Sequence, residues 1–489
     1  MGNTTATEGT VRWWTLALAS VAQLIVVLDS TVINIALPSI QTALHLTDAA
    51  RAWAVTAYAL AFGGLLLIGG RLADRFGHKQ AFIAGLVGFA LASGLAGLAT
   101  NAGLLFAGRA AQGAFAAVLA PAALSLISTL FTDPRERNVA FGVFGALTGV
   151  GAAVGLLVGG LLTQYLSWSW CLLINVPIAA VALVKAITVI PSVARGQARP
   201  LDLPGMAFSG LGMLAVVFSF SEMATRGWND PVLLALLALG VVLLLGFVAW
   251  EARTRYPLLP LRVVSDRFRA AAFLAIGLPQ VSMFGFFLFL TYYFQLILGY
   301  SPLQTGLAFL PLSVAIGIGS TVITGMLAPR LAPRAIIVPA LLLMAAGLAI
   351  LIGLDVNAPA VFVTRFLPAE LLIGLGLGCV IAPSISMATS GVDPDDAGVA
   401  SATVNVVQQL GGSVGTALLN TVATMAAAAY VVANGAGGQV TTEAAVHGFN
   451  LALIVALAII VATAIVVGLM LTTRRSSVAP APQAQDEAA

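Results

Sequence analysis

Fourteen apolar runs, each long enough to cross a lipid bilayer as a helix, divide almost the whole of this 489-residue chain. About 20 apolar residues cross the hydrocarbon core, so each run predicts one membrane-spanning helix. The chain is 60% hydrophobic and only 8% charged, whereas soluble domains carry about 25% charged residues, and this excludes a water-soluble enzyme. We number the runs span 1 to span 14: 14–37, 53–72, 80–100, 104–131, 139–165, 171–191, 204–223, 231–250, 270–298, 305–327, 335–354, 361–389, 398–430 and 450–472.

The basic residues predict how the chain is oriented. With the N-terminus inside the cell, 17 of the 22 Lys and Arg residues fall in cytoplasmic segments, and only Arg51 and Arg226 fall outside. Cytoplasmic loops carry such an excess. We therefore expect a multi-pass protein of the inner (plasma) membrane with both termini in the cytoplasm. The net charge of +3 is small and dispersed, so no nucleic acid partner is expected.

An internal repeat relates the two ends of the chain. GGRLADRFGHKQ (69–80) follows span 2 and TGMLAPRLAPRA (324–335) follows span 10, so that at an offset of 255 Gly70 meets Gly325 and Arg75 meets Arg330. Such a repeat predicts two six-helix halves in the same orientation, with spans 7 and 8 as an extra central pair. The predicted divisions are an N-terminal half, a linker with two extra spans, a connector with the C-terminal half, and a disordered tail: 1–191, 192–250, 251–472 and 473–489.

Three stretches carry a resemblance to a known family. They are LDSTVINIALP (28–38) in span 1, GGRLADRFGHK (69–79) after span 2, and FGVFGALTGVGAAVGLLVGG (141–160) in span 5. With the fourteen spans, they resemble the fourteen-helix drug:proton antiporter branch of the major facilitator superfamily. The resemblance implies an all-α integral membrane fold and a multidrug efflux transporter without a cofactor, rather than an enzyme.

An aspartate inside span 1 is the first candidate functional residue. A charged group at the centre of a membrane helix costs roughly 2.5–3.5 kcal/mol on insertion scales, yet Asp29 lies about two thirds of the way along span 1. By resemblance, Asp29 carries the proton, and Arg109 of span 4, within ~5 Å of the same depth, tunes it. The alternatives are an aspartate that only packs helices, satisfied by Asn34 or by backbone, and an arginine that snorkels to the outer interface.

The loop after span 2 matches the family's cytoplasmic motif. The matching residues are Gly70, Asp74, Arg75, Gly77 and Lys79. Glycines permit a tight turn, and the resemblance implies that Asp74 and Arg75 latch the two halves together on the cytoplasmic side and so stabilise the outward-facing state. The alternative is an ordinary basic loop that only sets topology.

The glycines of span 5 match the antiporter signature at four positions, Gly142, Gly151, Gly155 and Gly159, although Leu156 stands where the family has proline. Small residues let helices approach closely. We therefore expect span 5 to pack closely against neighbouring helices and to shift against them.

The second half holds a further acid and an aromatic run. Glu370 lies within span 12, where it either takes part in proton coupling or only neutralises Arg365. At the repeat offset Asp29 has no acidic counterpart, and aromatics stand there instead. Aromatic and amide side chains are suited to a cavity for flat or cationic ligands, although lipid-facing packing is the alternative. The candidate cavity residues are Asn34, Phe284, Tyr292, Tyr293, Gln295 and Gln408.

The resulting hypothesis is a proton-coupled exporter of small amphipathic drugs or antibiotics that works by alternating access and is expected to act as a monomer. The chain has no ATP-binding P-loop sequence, so proton binding is the expected source of energy. Two alternatives remain. One is an exporter of an endogenous lipid or secondary metabolite, and the other is a non-transporting membrane receptor on the same fold.

The predicted topology is testable by cysteine labelling. In a background without native cysteines, an impermeant reagent added outside should label single cysteines within 433–447 and should not reach cysteines within 195–199. Labelling of both segments from the same side would contradict fourteen spans with cytoplasmic termini.

Overall fold

A computed structural model describes residues 2–46, 48–191, 202–354, 360–393, 396–434 and 438–471. The regular structure of these residues is helical throughout, with no strand. The predicted tail 473–489 and most of the linker before span 7 lie outside the described residues.

The helices follow the predicted spans closely. Spans 1 to 6 are Gly2–Ala43, Asp48–Phe76, His78–Gly97, Ala102–Leu130, Pro134–Tyr165, and the pair Trp170–Leu173 and Asn175–Val189. Spans 7 and 8 are Leu203–Arg226 and Pro231–Glu251, and a short connector helix, Leu261–Ser265, follows. Span 9 is Arg267–Tyr292, and spans 11 to 14 are Pro333–Leu351, Leu367–Thr389, Ala397–Asn434 and Gly438–Met470. Span 10 consists of four consecutive segments: Pro302–Ala308, Leu310–Gly317, the π-helix Ile318–Ile323 and Thr324–Leu327. Two further π-helical turns, Tyr293–Ile297 and Phe362–Phe366, end span 9 and begin span 12.

The span count agrees with the sequence. Thirteen helices of the described residues are long and apolar enough to cross a membrane. They correspond to every predicted run except the fifth. The fifth run lies within the continuous 32-residue helix Pro134–Tyr165, and this helix brings the total to fourteen. Because the number is even, span 1 begins and span 14 ends on one face, together with the basic loops that follow spans 2, 4 and 10, and we call it the basic face.

Aspartates begin several of the helices. A carboxylate at the N-terminal end of a helix accepts hydrogen bonds from backbone N–H groups that have no partner inside the helix. The positive end of the helix dipole stabilises its negative charge. The aspartates that cap helices in this way are Asp133, Asp202, Asp230 and Asp266.

The two halves pack alike. In the N-terminal half, span 4 packs on spans 2 and 3, span 1 on spans 4, 5 and 6, and span 3 on span 6. The equivalent pairs, eight spans later, all pack in the C-terminal half. Between the halves, span 2 meets span 13 and span 5 meets span 10, while span 4 meets span 13 and span 5 meets span 12. The fold is therefore two equivalent six-helix bundles, as predicted.

The extra spans attach at one seam between the halves. Span 7 packs on spans 2 and 13, and span 8 packs mainly on span 7. At the basic face, the buried Glu251 at the end of span 8 accepts hydrogen bonds from the backbone N–H groups of Leu258 and Leu259, both at 3.1 Å. This holds the connector against the two extra spans.

Span 5 crosses its neighbours at the predicted glycines. Gly151, Gly155 and Gly159 face span 1, whereas Gly142 faces span 10 in the other half. A Cβ placed on Gly142 would lie 2.5 Å from the backbone oxygen of Ser320, which is closer than atoms approach. The contact between the halves therefore requires glycine at this position.

We expect Gly142→Ala to separate spans 5 and 10 and to lower the stability of the purified protein by about 1–3 kcal/mol, the usual cost of overpacking. Thermal unfolding in detergent measures the change. Gly160→Ala is the matched control, because a Cβ there meets nothing within 4 Å. Equal effects of the two substitutions would contradict the close approach at Gly142.

Candidate functional site

Asp29 lies at the centre of a polar cluster inside the N-terminal half. Its side chain and that of Arg109 are fully buried, and the Arg109 Nη1 donates to Asp29 Oδ2 at 2.5 Å. Gln112 Nε2 and Asn175 Nδ2 donate to Asp29 Oδ1 at 2.8 and 2.9 Å. The carboxylate of span 1 therefore binds donors from spans 4 and 6.

Arg109 extends this cluster to spans 2 and 3. Its Nε donates to the backbone oxygen of Ala54 at 2.9 Å, and its Nη1 also donates to Gln112 Oε1 at 2.9 Å. The guanidinium lies over the ring of Tyr58, 4.6 Å from the centroid, a cation–π geometry. Gln112 Nε2 donates to Ser93 Oγ of span 3 at 2.7 Å. The alternative in which Arg109 snorkels to the interface is wrong, because the side chain is fully buried.

The electrostatics of this cluster depend on the charge of Asp29. Removing one partner from a buried ion pair leaves an uncompensated charge, at a cost of about 3–5 kcal/mol. Three N–H donors face the carboxylate of Asp29, so its negative charge is matched by hydrogen bonds from spans 4 and 6. This carboxylate therefore ties span 1 to spans 4 and 6.

Glu370 is also fully buried, in the C-terminal half. Neither of its carboxyl oxygens reaches hydrogen-bonding geometry with the part of the chain that the structure describes, although the Leu312 backbone lies alongside. Arg365 is exposed and donates to the backbone oxygen of Ile350 at 2.8 Å instead. The alternative that Glu370 only neutralises Arg365 is therefore wrong. Because an unpaired buried carboxylate is costly, this environment suits the neutral acid.

A second polar cluster, which we call the latch, joins the two halves at the basic face. Asp74 Oδ1 accepts a hydrogen bond from the backbone N–H of Gly398 at 2.7 Å, in the first turn of span 13. The positive end of that helix favours a carboxylate. Gly70 lies one turn earlier, where a Cβ would be 2.6 Å from the backbone oxygen of Gly398. Span 2 and span 13 therefore meet closely at this point.

Arg71 is the cation of the latch. Its guanidinium lies 3.5 Å from Asp396 and 4.0 Å from Asp74, and it donates to the backbone oxygen of Pro257 in the connector at 2.7 Å. Asp396 also pairs with Arg262 of the connector helix at 2.6 Å. The hydrogen bond and the charge of Asp396 raise the pKa of the Arg262 guanidinium. The latch thus joins span 2, the connector and the start of span 13.

Two more polar contacts cross between the halves near the latch. Arg137 Nη2 donates to Thr389 Oγ1 at 2.8 Å, and Ser125 Oγ donates to Ser401 Oγ at 3.2 Å. Burial lowers the pKa of the Arg137 guanidinium. Together with the latch, these contacts hold the halves against each other at the basic face.

The remaining residues of the cytoplasmic motif lie around the latch. Arg75 places its guanidinium over the ring of Phe76, 5.9 Å from the centroid. Gly77 has φ of 95°, which glycine adopts without the strain that a Cβ adds. Lys79 donates to the backbone oxygen of Ile187 at 3.0 Å. Among the described residues, the polar contacts that the motif makes with the other half are those of Arg71 and Asp74. Arg71, rather than the expected Arg75, is therefore the arginine of the latch.

The candidate cavity residues are spread over different environments. Tyr293 is buried, with its ring 5.1 Å from that of Phe366, so it packs in the core of the C-terminal half. Tyr292 and Gln295 are exposed, and Gln408 is half-buried. The side chains of two other candidates lie outside the described residues: Asn34 and Phe284.

Several residues of both clusters are not among the candidates predicted from the sequence. Gln112 follows Arg109 by one helical turn, and Asn175 is an amide within an apolar run; both signals were available. Arg71 stands inside the quoted motif, and Asp396 lies just before span 13. Nothing in the sequence shows that Asp396 meets a residue 325 positions earlier.

The fold and the site define a membrane transporter built from two equivalent bundles. The Major Facilitator Superfamily pattern matches residues 19–416, and the chain belongs to that family. Puromycin resistance protein pur8 of Streptomyces alboniger is 53% identical over 446 residues, 91% of this chain and 88% of that protein. Cephamycin export protein CmcT of Amycolatopsis lactamdurans is 39% identical, over 83% of this chain and 84% of that protein. The resemblance to the drug-efflux branch is confirmed.

A solved structure agrees in fold. The human organic anion transporter MFSD10 (TETRAN) superposes with a TM-score of 0.63 over 94% of this chain and 99% of that chain, at 15% identity. At this identity the similarity concerns the fold alone. The family match and the relatives make the chain a multi-pass transporter and not an enzyme.

We expect Arg71→Gln and Asp74→Ala to open the halves at the basic face. Each removes a charge-assisted contact of about 1.5–3 kcal/mol, enough to shift a two-state population by about ten-fold or more. Spin labels at the exposed positions Gln80 and Ser390 report the separation as a longer distance. Arg75→Gln is the matched control and should change this distance distribution little.

The labelling requires replacement of the two native cysteines, Cys171 and Cys379, both of which are buried. A larger shift with Arg75→Gln than with Arg71→Gln would contradict the assignment of the latch cation.

Proposed function

We propose that the protein is a proton-coupled exporter of small amphipathic antibiotics, a drug:proton antiporter that works by alternating access. Its relatives support the substrate class, because their names refer to resistance to or export of puromycin, cephamycin, tetracenomycin C and lincomycin. The 53% identity to a puromycin resistance protein makes puromycin the first substrate to test.

The buried Asp29–Arg109 pair is the observation that carries this proposal. An ionisable pair within membrane-spanning helices is costly and marks a functional site. In our proposal, Asp29 receives a proton from the outside, its contact with Arg109 weakens, and the substrate leaves. The halves then reopen to the cytoplasm, where the proton dissociates and Arg109 pairs with Asp29 again.

Alternating access requires proton binding and also control over which side of the protein is open, and the latch supplies that control. With Arg71, Asp74 and Asp396 in contact, the halves are closed at the basic face. We propose that this face is cytoplasmic, that both termini lie there, and that the state described is closed to the cytoplasm. Glu370 is proposed as a second acid that holds a proton during the cycle. The functional unit is proposed to be one chain in the plasma membrane.

We expect Asp29→Asn to abolish puromycin transport driven by a pH gradient in proteoliposomes. The amide keeps the shape of the side chain and removes the titratable proton. Exchange of labelled for unlabelled puromycin at equal pH on both sides should persist, because exchange needs no net proton movement. This difference separates loss of coupling from loss of folding or binding.

Glu370→Gln is the matched carboxyl-to-amide control in the other half. Normal gradient-driven transport by Asp29→Asn, with transport lost in Glu370→Gln, would assign the proton to Glu370. Binding of puromycin without transport or proton flux in the unmodified protein would favour a membrane receptor. Transport of a cell's own secondary metabolite, with no effect on puromycin, would favour the endogenous exporter.

A further inference from the structure

A groove of about 540 Å³ lies between spans 1 and 6, on the outer side of the N-terminal half. Val181 and Val184 of span 6 are 69% and 65% exposed, so this side of the bundle faces the bilayer. The walls of the groove are apolar except at one end. The residues that define it are Trp14, Ala17, Val21, Pro177, Ala182 and Lys185.

The polar end of the groove lies at the basic face. Span 1 begins there and span 6 ends there, which brings Lys185 beside Trp14 with its ammonium 5.8 Å from the ring centroid. No carboxylate among the described residues pairs with Lys185. Lys79 does not line the groove, and its Nζ donates to the backbone oxygen of Ile187 near the end of span 6. The groove therefore combines an apolar channel with one cation and a tryptophan at interface depth.

We propose that this groove binds one anionic phospholipid from the leaflet at the basic face. The phosphate headgroup contacts Lys185, the indole of Trp14 lies at headgroup level, and one acyl chain occupies the groove. Tryptophan is enriched at this depth, and basic pockets between membrane helices on the cytoplasmic side bind anionic headgroups. The proposal does not depend on proton coupling or on the transported substrate.

The length of the groove fits an acyl chain better than a compact ligand. Lys185 and Pro177 are separated by about two helical turns, or ~12 Å along the axis. One leaflet of hydrocarbon is about 15 Å deep, half of the ~30 Å core. Pro177, at the inner end of the groove, lies two residues along the chain from Asn175, which binds Asp29. A chain in the groove therefore contacts the two spans that hold the buried carboxylate.

Native mass spectrometry of the purified full-length protein tests this proposal. The probes are phosphatidylglycerol and phosphatidylethanolamine with identical acyl chains, which differ in net charge. We expect tighter binding of phosphatidylglycerol, and a loss of about five-fold in Lys185→Gln, which corresponds to about 1 kcal/mol for one cation near the surface. Arg334→Gln, at an exposed position of the basic face in the other half, is the matched control and should lose nothing.

A second pair of variants tests the groove itself. Ala17 is exposed within the groove, so Ala17→Phe fills it without entering the core and should weaken binding of both lipids several-fold. Val184→Phe places the same ring on span 6 outside the groove and should not. Equal binding of the two lipids, no difference between Lys185→Gln and Arg334→Gln, or no difference between Ala17→Phe and Val184→Phe would each overturn the proposal. A dimer that Ala17→Phe dissociates would assign the groove to a second copy and overturn it too.

Discussion

The ion pair of Asp29 and Arg109 constrains the whole N-terminal half. A carboxylate and a guanidinium without exposure to solvent persist only where additional hydrogen bonds offset the loss of water. Spans 2, 3, 4 and 6 supply those partners through backbone and amide groups. Five of the six helices in this half therefore meet at one charge, and a change in that charge reaches all of them.

The two halves share their packing but not their chemistry. At the repeat offset, Pro329 stands where the first half has Asp74, so the seam between spans 5 and 10 has no counterpart of the latch carboxylate. Close backbone contact at Gly142 replaces it. Arg365, the counterpart of Arg109, is exposed and binds a backbone oxygen. The seam between spans 2 and 13 is thus held by charged groups, and the seam between spans 5 and 10 by close backbone packing.

The architecture could be predicted because its signals are written in the sequence itself. The length of the apolar runs predicted fourteen spans, the internal repeat predicted two related halves, and the depth of Asp29 and Arg109 in their spans predicted that they could meet. The partners of these residues did not follow, since Asn175 and Asp396 reach their contacts through tertiary packing that no spacing encodes. The cavity was the least predictable feature. An aromatic such as Tyr293 has the same pattern whether it packs in the core, as it does here, or lines a cavity.

The position of span 7 has a consequence for molecules dissolved in the membrane. Span 7 covers the seam between spans 2 and 13 from outside the two bundles, whereas neither span 7 nor span 8 packs against spans 5 and 10 on the opposite seam. A lipophilic compound that diffuses within the bilayer therefore meets an extra helix on one side of the protein and only the two bundles on the other. The extra pair of helices makes the two sides of a nearly symmetric molecule unequal toward the membrane.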